Sequence, residues 1–161
     1  MKNSSTMFLR LALMGIGALV IVMSGFAIPS IFSEWPLEFP DTAYARYPIA
    51  AGLVLAVLTM FVAFYHAFHL LDLIDDNKSF TLGSVRRLQY VKYCAYAVVA
   101  IFVTGMPAVY MVADKEDAPG LIVIVGSVFI GIPAIVAVFA GVCQRLFQNA
   151  IKLKSENDLT V

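Results

Sequence analysis

Leu70–Tyr93, which reads LLDLIDDNKSFTLGSVRRLQYVKY, is the long polar interval between two strongly apolar halves of a 161-residue chain. A soluble domain of this length would spread its charges throughout. Here 61% of residues are hydrophobic and only 14% charged, and the apolar ones gather into four uncharged runs. The runs lie near residues 11–32, 47–71, 93–113 and 119–143. Each is long enough to cross about 30 Å of hydrocarbon at roughly 1.5 Å per helical residue. A membrane barrel would need alternating segments of about ten residues, whereas these runs are apolar on every side. The expected fold is all-α: a single four-helix transmembrane domain over residues 1–161, with a polar connecting segment at 72–92 and a polar tail at 144–161.

Orientation follows from the basic residues, because Lys and Arg near short loops resist translocation. With both termini and the 72–92 segment in the cytoplasm, Lys2, Arg10, Lys78, Arg86, Arg87, Lys92, Arg145, Lys152 and Lys154 lie inside, leaving Arg46 and Lys115 outside. The acids lean the other way, with Glu34, Glu38, Asp41, Asp114, Glu116 and Asp117 outside. Zero net charge therefore conceals one face at +4 and another at −4. The expected topology is a multi-pass protein of the cell inner membrane with both termini cytoplasmic.

At the near edge of the polar interval, His66, His69, Asp72 and Asp76 recur at three- or four-residue steps. A continuous helix would set them along one face, with Tyr65 nearby. Imidazole and carboxylate suit zinc, iron or a proton relay. Four ligands on one helix face cannot close a tetrahedron, and neither cysteine nor a further histidine completes the set. No metal is favoured and no cofactor expected. The ordinary reading has the histidines hydrogen-bonded at the membrane boundary and the aspartates as a solvated helix end.

Within the interval, Asp75, Asp76 and Asn77 predict a turn. Thr81 is placed as the N-cap of the third helix, with Phe80 and Val85 as a hydrophobic staple. Leu82, Val85 and Leu88 form an apolar stripe that Arg86 and Lys92 interrupt. Arg86, Arg87 and Lys92 suit lipid phosphates, each basic residue near an anionic leaflet being worth about 1 kcal/mol.

Leu70-Leu71, the run Ile74-Asp75-Asp76-Asn77-Lys78-Ser79-Phe80 and Val91-Lys92-Tyr93 resemble the central signature of a bacterial membrane family, domain-of-unknown-function family 2975. The tail, Leu153-Lys154-Ser155-Glu156-Asn157-Asp158-Leu159-Thr160-Val161, is similar to the ending many members carry. Asp76 departs from the lysine that many members have there, and His66 and His69 belong to no motif of the family. The resemblance implies a small four-span protein with no assigned enzymatic activity, often encoded beside a small helix-turn-helix regulator.

Further out, MKNSSTMFLR precedes an apolar run too long for a signal-peptide core of 7–15 residues, so it reads as the approach to a membrane span. Gly15, Gly17 and Ala18 offer that span a small-residue surface for a neighbouring helix. In the outer connection, Pro36 and Pro40 argue against regular structure, and Trp35, Tyr44 and Tyr47 suit the headgroup boundary. A ligand lid is the functional alternative for this connection.

Asp114–Ala118 is short enough to force the third and fourth spans into a hairpin. Pro107 and Pro133 should kink those spans and free a carbonyl one turn earlier. Freed carbonyls coordinate ions in transporters when they line a cavity. Asp, Glu, Lys and Arg, which usually mark such pathways, are missing from the four apolar runs. The Ser127/Gly131 and Ala137/Gly141 pairs fit helix packing instead. Cys94 and Cys143 read as reduced, small hydrophobes.

Beyond Cys143 the helix should continue through Lys154, because Leu146, Ala150 and Leu153 keep helical spacing. The following Ser155–Val161 end is acidic and alternating, suited to adding a strand to a partner or docking its carboxylate, with a frayed terminus as the ordinary alternative. No enzyme motif is present: there is no Gly-x-Ser-x-Gly, phosphate loop or His-Glu-x-x-His. The basic residues are too few for direct nucleic-acid binding.

These readings converge on a regulatory or scaffolding protein of the lipid bilayer, not an enzyme. The surface expected to hold a small cytoplasmic transcription regulator comprises Asp75, Asn77, Phe80, Arg86, Arg87 and Lys92 with Glu156, Asn157, Asp158, Leu159 and Val161. A small-solute or ion transporter or channel subunit is the alternative. Since four helices are few to enclose a pathway, a homo-oligomer goes with it.

Overall fold

The computed structural model describes residues 2–38, 40–75 and 81–158. Four long helices carry the fold: α1 (Lys2–Ser33), α3 (Arg46–Asp75), α4 (Leu82–Lys115) and α6 (Ile132–Asp158). Between α1 and α3 lie a short helix α2 (Trp35–Glu38) and a 3₁₀ turn (Pro40–Ala45). Between α4 and α6 come α5 (Gly120–Ile124) and a π turn (Val125–Gly131), which continue into α6 as one long rod. Among the described residues four helical stretches are thus long and apolar enough to cross a membrane. Each helix outruns the apolar stretch that announced it, because flanking polar residues complete turns in water.

The helices pack as a row, α1 on α3, α3 on α4 and α4 on α6. α4 is the central member and buries Val85, Leu88, Ala95, Val98, Val109, Val112 and Ala113. Much of the remaining core is alanine, including Ala50, Ala56, Ala137 and Ala140. In lipid no hydrophobic force draws helices together, so association rests on close backbone approach, which small side chains permit. Large apolar residues such as Phe8, Leu19, Phe26, Ile135 and Phe139 face outward. Gly17 is the small residue by which α1 meets α3: a Cβ there would touch the Phe64 ring at 3.7 Å, whereas one on Gly15 would meet nothing within 4 Å.

Local signals explain the helix ends. Thr81 caps α4 in extended backbone, its Oγ1 accepting from the Ser84 N–H at 3.4 Å, as the sequence predicts. Its staple partner Phe80 lies outside the described residues. At the far end of α4, Asp117 adopts a left-handed φ of 49°, and the Ala118 N–H reaches back to the Ala113 carbonyl at 2.9 Å. This closing turn satisfies a carbonyl of the last helical turn and starts the hairpin.

Two sequence expectations, on the outer connection and on the tail, are corrected. The outer connection is regular, not irregular, because Pro36 stands in the first turn of α2 and Pro40 opens the 3₁₀ turn, where a missing N–H costs nothing. Pro107 stands within α4, whose helical assignment is unbroken, and the fourth span carries a π turn just ahead of Pro133, where a disturbance of the helix was expected. The acidic end is helical through Asp158 instead of extended from Ser155, leaving Leu159 and Val161 outside the described residues. Asp76 and Asn77 also fall outside them.

Candidate functional site

Polar side chains of the described residues collect at the two ends of the row. One end brings together the start of α1, the end of α3, the start of α4 and the outer half of α6. Arg10 on α1 meets Asp72 on α3, Nη2 to Oδ1, at 2.6 Å, and this is the ion pair found among the described residues. Both side chains remain substantially exposed, at 38% and 56%, so water screens the attraction.

The α3–α4 seam at this end is built on His66. Arg87 Nη1 lies 3.1 Å from His66 Nδ1. A guanidinium only donates, so Nδ1 is the acceptor and the ring proton sits on Nε2. The imidazole stacks on Tyr90 with centroids 4.6 Å apart and planes 14° from parallel, and Tyr65 approaches it edge-on. His69 lies beside Tyr65 at 5.3 Å. The helical face predicted for His66, His69 and Asp72 therefore exists, but its members are drawn apart: His66 to Arg87, His69 to Tyr65, and Asp72 to Arg10. Among the described residues no three His, Cys, Asp or Glu side chains gather as a metal would require.

The α4–α6 seam holds the next pair. Lys92 Nζ donates to Gln144 Oε1 at 3.0 Å and lies 5.3 Å from the Tyr93 ring centroid. Arg86 is exposed, so of the two adjacent arginines Arg87 is committed to α3 while Arg86 faces solvent. α6 then runs roughly four turns beyond Cys143. On that extension Leu146 and Leu153 are 60% and 67% exposed, and Arg145, Gln148, Lys152 and Lys154 are exposed too. Asn157 and Asp158 continue the helix backbone, and Glu156 is an exposed member of its last turns.

The opposite end is closed by one buried hydroxyl. Thr42 is fully buried; its Oγ1 accepts from Trp35 Nε1 at 3.3 Å and donates to Glu116 Oε1 at 3.1 Å. This relay ties the outer connection to the end of α4. Lys115 adds a contact to the Asp41 carbonyl at 3.5 Å and lies over the Tyr44 ring.

Midway along the row, an apolar cleft of about 610 Å³ opens between α1 and the fourth span. Met23, Ala27, Met60, Phe102, Phe129 and Pro133 are among its walls. Its one hydroxyl, on Ser24, donates to the Val20 carbonyl of its own helix at 2.7 Å.

Arg10, Tyr90 and Gln144 were not singled out as site residues by sequence. A charge at the edge of an apolar run is a signal that a partner is needed. Which residue supplies it, 62 positions away for Arg10, depends on helix rotation and depth.

The profile of the family described as "Protein of unknown function (DUF2975)" matches residues 30–161. The chain belongs to this family. It is also 42% identical to the "Uncharacterized membrane protein YoaS" of Bacillus subtilis (strain 168), over 100% of both chains. No solved structure matches. As a member of this family the chain is a membrane protein with four candidate spans.

Proposed function

We propose that this protein is a regulatory or scaffolding component of the cell inner membrane, with both termini cytoplasmic, and that its basic end holds a small cytoplasmic helix-turn-helix regulator. The carrying observation is the part of α6 beyond Cys143, which sets exposed Leu146 and Leu153 beside exposed Arg145, Lys152 and Lys154. An amphipathic helix of this kind offers an apolar anchor with a basic rim to a partner groove. The excess of Lys and Arg at the same end supports a cytoplasmic location. Exposed Arg86 extends the surface across the start of α4, and Asp75 is the last residue of α3. No enzymatic step is assigned to this surface.

The test is recovery of the neighbouring regulator with the full chain from native membranes in mild detergent. A chain ending at Lys154, and separately an Arg86→Gln variant, should each recover markedly less regulator while keeping wild-type thermal stability. Wild-type recovery with both would remove the proposal.

The π turn beside Pro133 favours a second reading, a small-solute or ion transporter or channel subunit, because interrupted helices line transport sites. The apolar walls of the 610 Å³ cleft count against a hydrophilic cargo. Solute flux in proteoliposomes that responds to Pro133→Ala is what this reading requires.

A further inference from the structure

Beside the Lys92–Gln144 contact, α4 and α6 part to leave a recess of about 380 Å³. Its polar lining is Lys92, Gln144, Arg145 and Gln148, and Tyr96 of α4 with Val138 and Val142 of α6 line it beside them. Lys92 reaches the recess over Gly141, where a Cβ would stand 3.5 Å from the lysine Cδ. The glycine thus sets how closely the lysine stem lies on α6.

Nothing acidic balances these charges. From Leu82 to Ala113 and from Gly120 to Ser155 there is no Asp or Glu, and neither Lys92 nor Arg145 has a carboxylate within salt-bridge distance among the described residues. Lys92 spends one of its three donors on Gln144. Because ammonium only donates, the Gln144 oxygen faces it, and the amide NH₂ remains a donor. With Arg145, Gln148 and the Tyr96 hydroxyl, the recess is rich in donors and carries two uncompensated positive charges.

The geometry points to a binding site for a phosphate group, carried by an anionic lipid at the membrane boundary. Lys92 and Arg145 stand at the ends of the third and fourth apolar runs, the depth at which headgroup phosphates lie. Arg145 offers a planar fork that suits phosphate oxygens and Lys92 a point charge. Val138 and Val142, 60% and 51% exposed, provide an apolar track along which an acyl chain lies. A phosphate free in water would use the polar lining and leave that track empty.

The full chain, purified in nonionic detergent, is titrated with phosphatidylglycerol, phosphatidylcholine and inorganic phosphate, and bound species are counted by native mass spectrometry. Phosphatidylglycerol should be retained over phosphatidylcholine. Combined Lys92→Gln and Arg145→Gln should weaken it by about tenfold or more, since each basic contact is worth about 1 kcal/mol. Combined Lys152→Gln and Lys154→Gln, which remove the same charge from the same helix further out, should leave it unchanged. Gln148→Glu, at an exposed position where folding is not at stake, should also lower retention. Millimolar inorganic phosphate that fails to displace the lipid assigns the site to a lipid. Phosphate that binds in its place, and depends on Lys92 and Arg145, keeps the phosphate site and moves its source to solution. Equal retention of the two lipids, equal losses in both double variants, or wild-type binding by Gln148→Glu overturns the inference.

Discussion

Thr42, wholly buried between Trp35 and Glu116, and Lys92, in the lining of an open recess, stand at opposite ends of one helix row. At Thr42 donor and acceptor are used up inside the protein, and an outer connection is sewn to the end of α4. At Lys92 a single amide oxygen answers an ammonium, and Arg145 and Arg86 face outward. The first end is finished by the chain itself, whereas the second presents charge to its surroundings. Substitutions at the Thr42 end should therefore cost stability, and those at the Lys92 end should be felt mainly in what the protein binds.

The largest expected effect is at the closed end. Thr42→Val keeps the shape but removes the hydroxyl from both Trp35 and Glu116, and should destabilise the protein by about 2 kcal/mol, read as a lowered unfolding midpoint in detergent. A midpoint equal to wild type would break the contrast. At the basic end, His66→Phe preserves a ring against Tyr90 while depriving Arg87 of its acceptor. We expect a loss of about 1 kcal/mol, smaller because the half-exposed guanidinium can turn to water. Smallest is Asp72→Asn, which removes the charge facing Arg10 and should cost about 0.5 kcal/mol or less, a difference that added salt erases. A larger effect there would mean that α1 is held by the ion pair and not by the Gly17–Phe64 approach.

The four spans and the Thr81 cap were legible in sequence because each is decided locally, the spans by apolar length and the cap by one hydroxyl three residues ahead of a backbone N–H. The helical outer connection is not legible from its prolines, which break helices in their interior but stand here at turn starts, where Pro36 and Pro40 are at home. The π turn over Val125–Gly131 carries no signal of its own in a short window, where the run is simply apolar. At the site, sequence named Arg87 and Lys92 but not what they touch. His66 is 21 positions from Arg87 and Gln144 is 52 from Lys92, and only the rotation of each helix in the row brings them into register.

In the row α1 packs chiefly on α3, the helix that follows it in the chain. α1 thus precedes in the chain the surface it packs on, and until α3 is made it holds its place in the bilayer by partitioning. Its lipid-facing Phe8, Leu19 and Phe26 serve that waiting period, while Gly17 comes into use once Phe64 has been synthesised. Along the row each long helix packs on the one before it in the chain, so every later span meets a neighbour that has already been made.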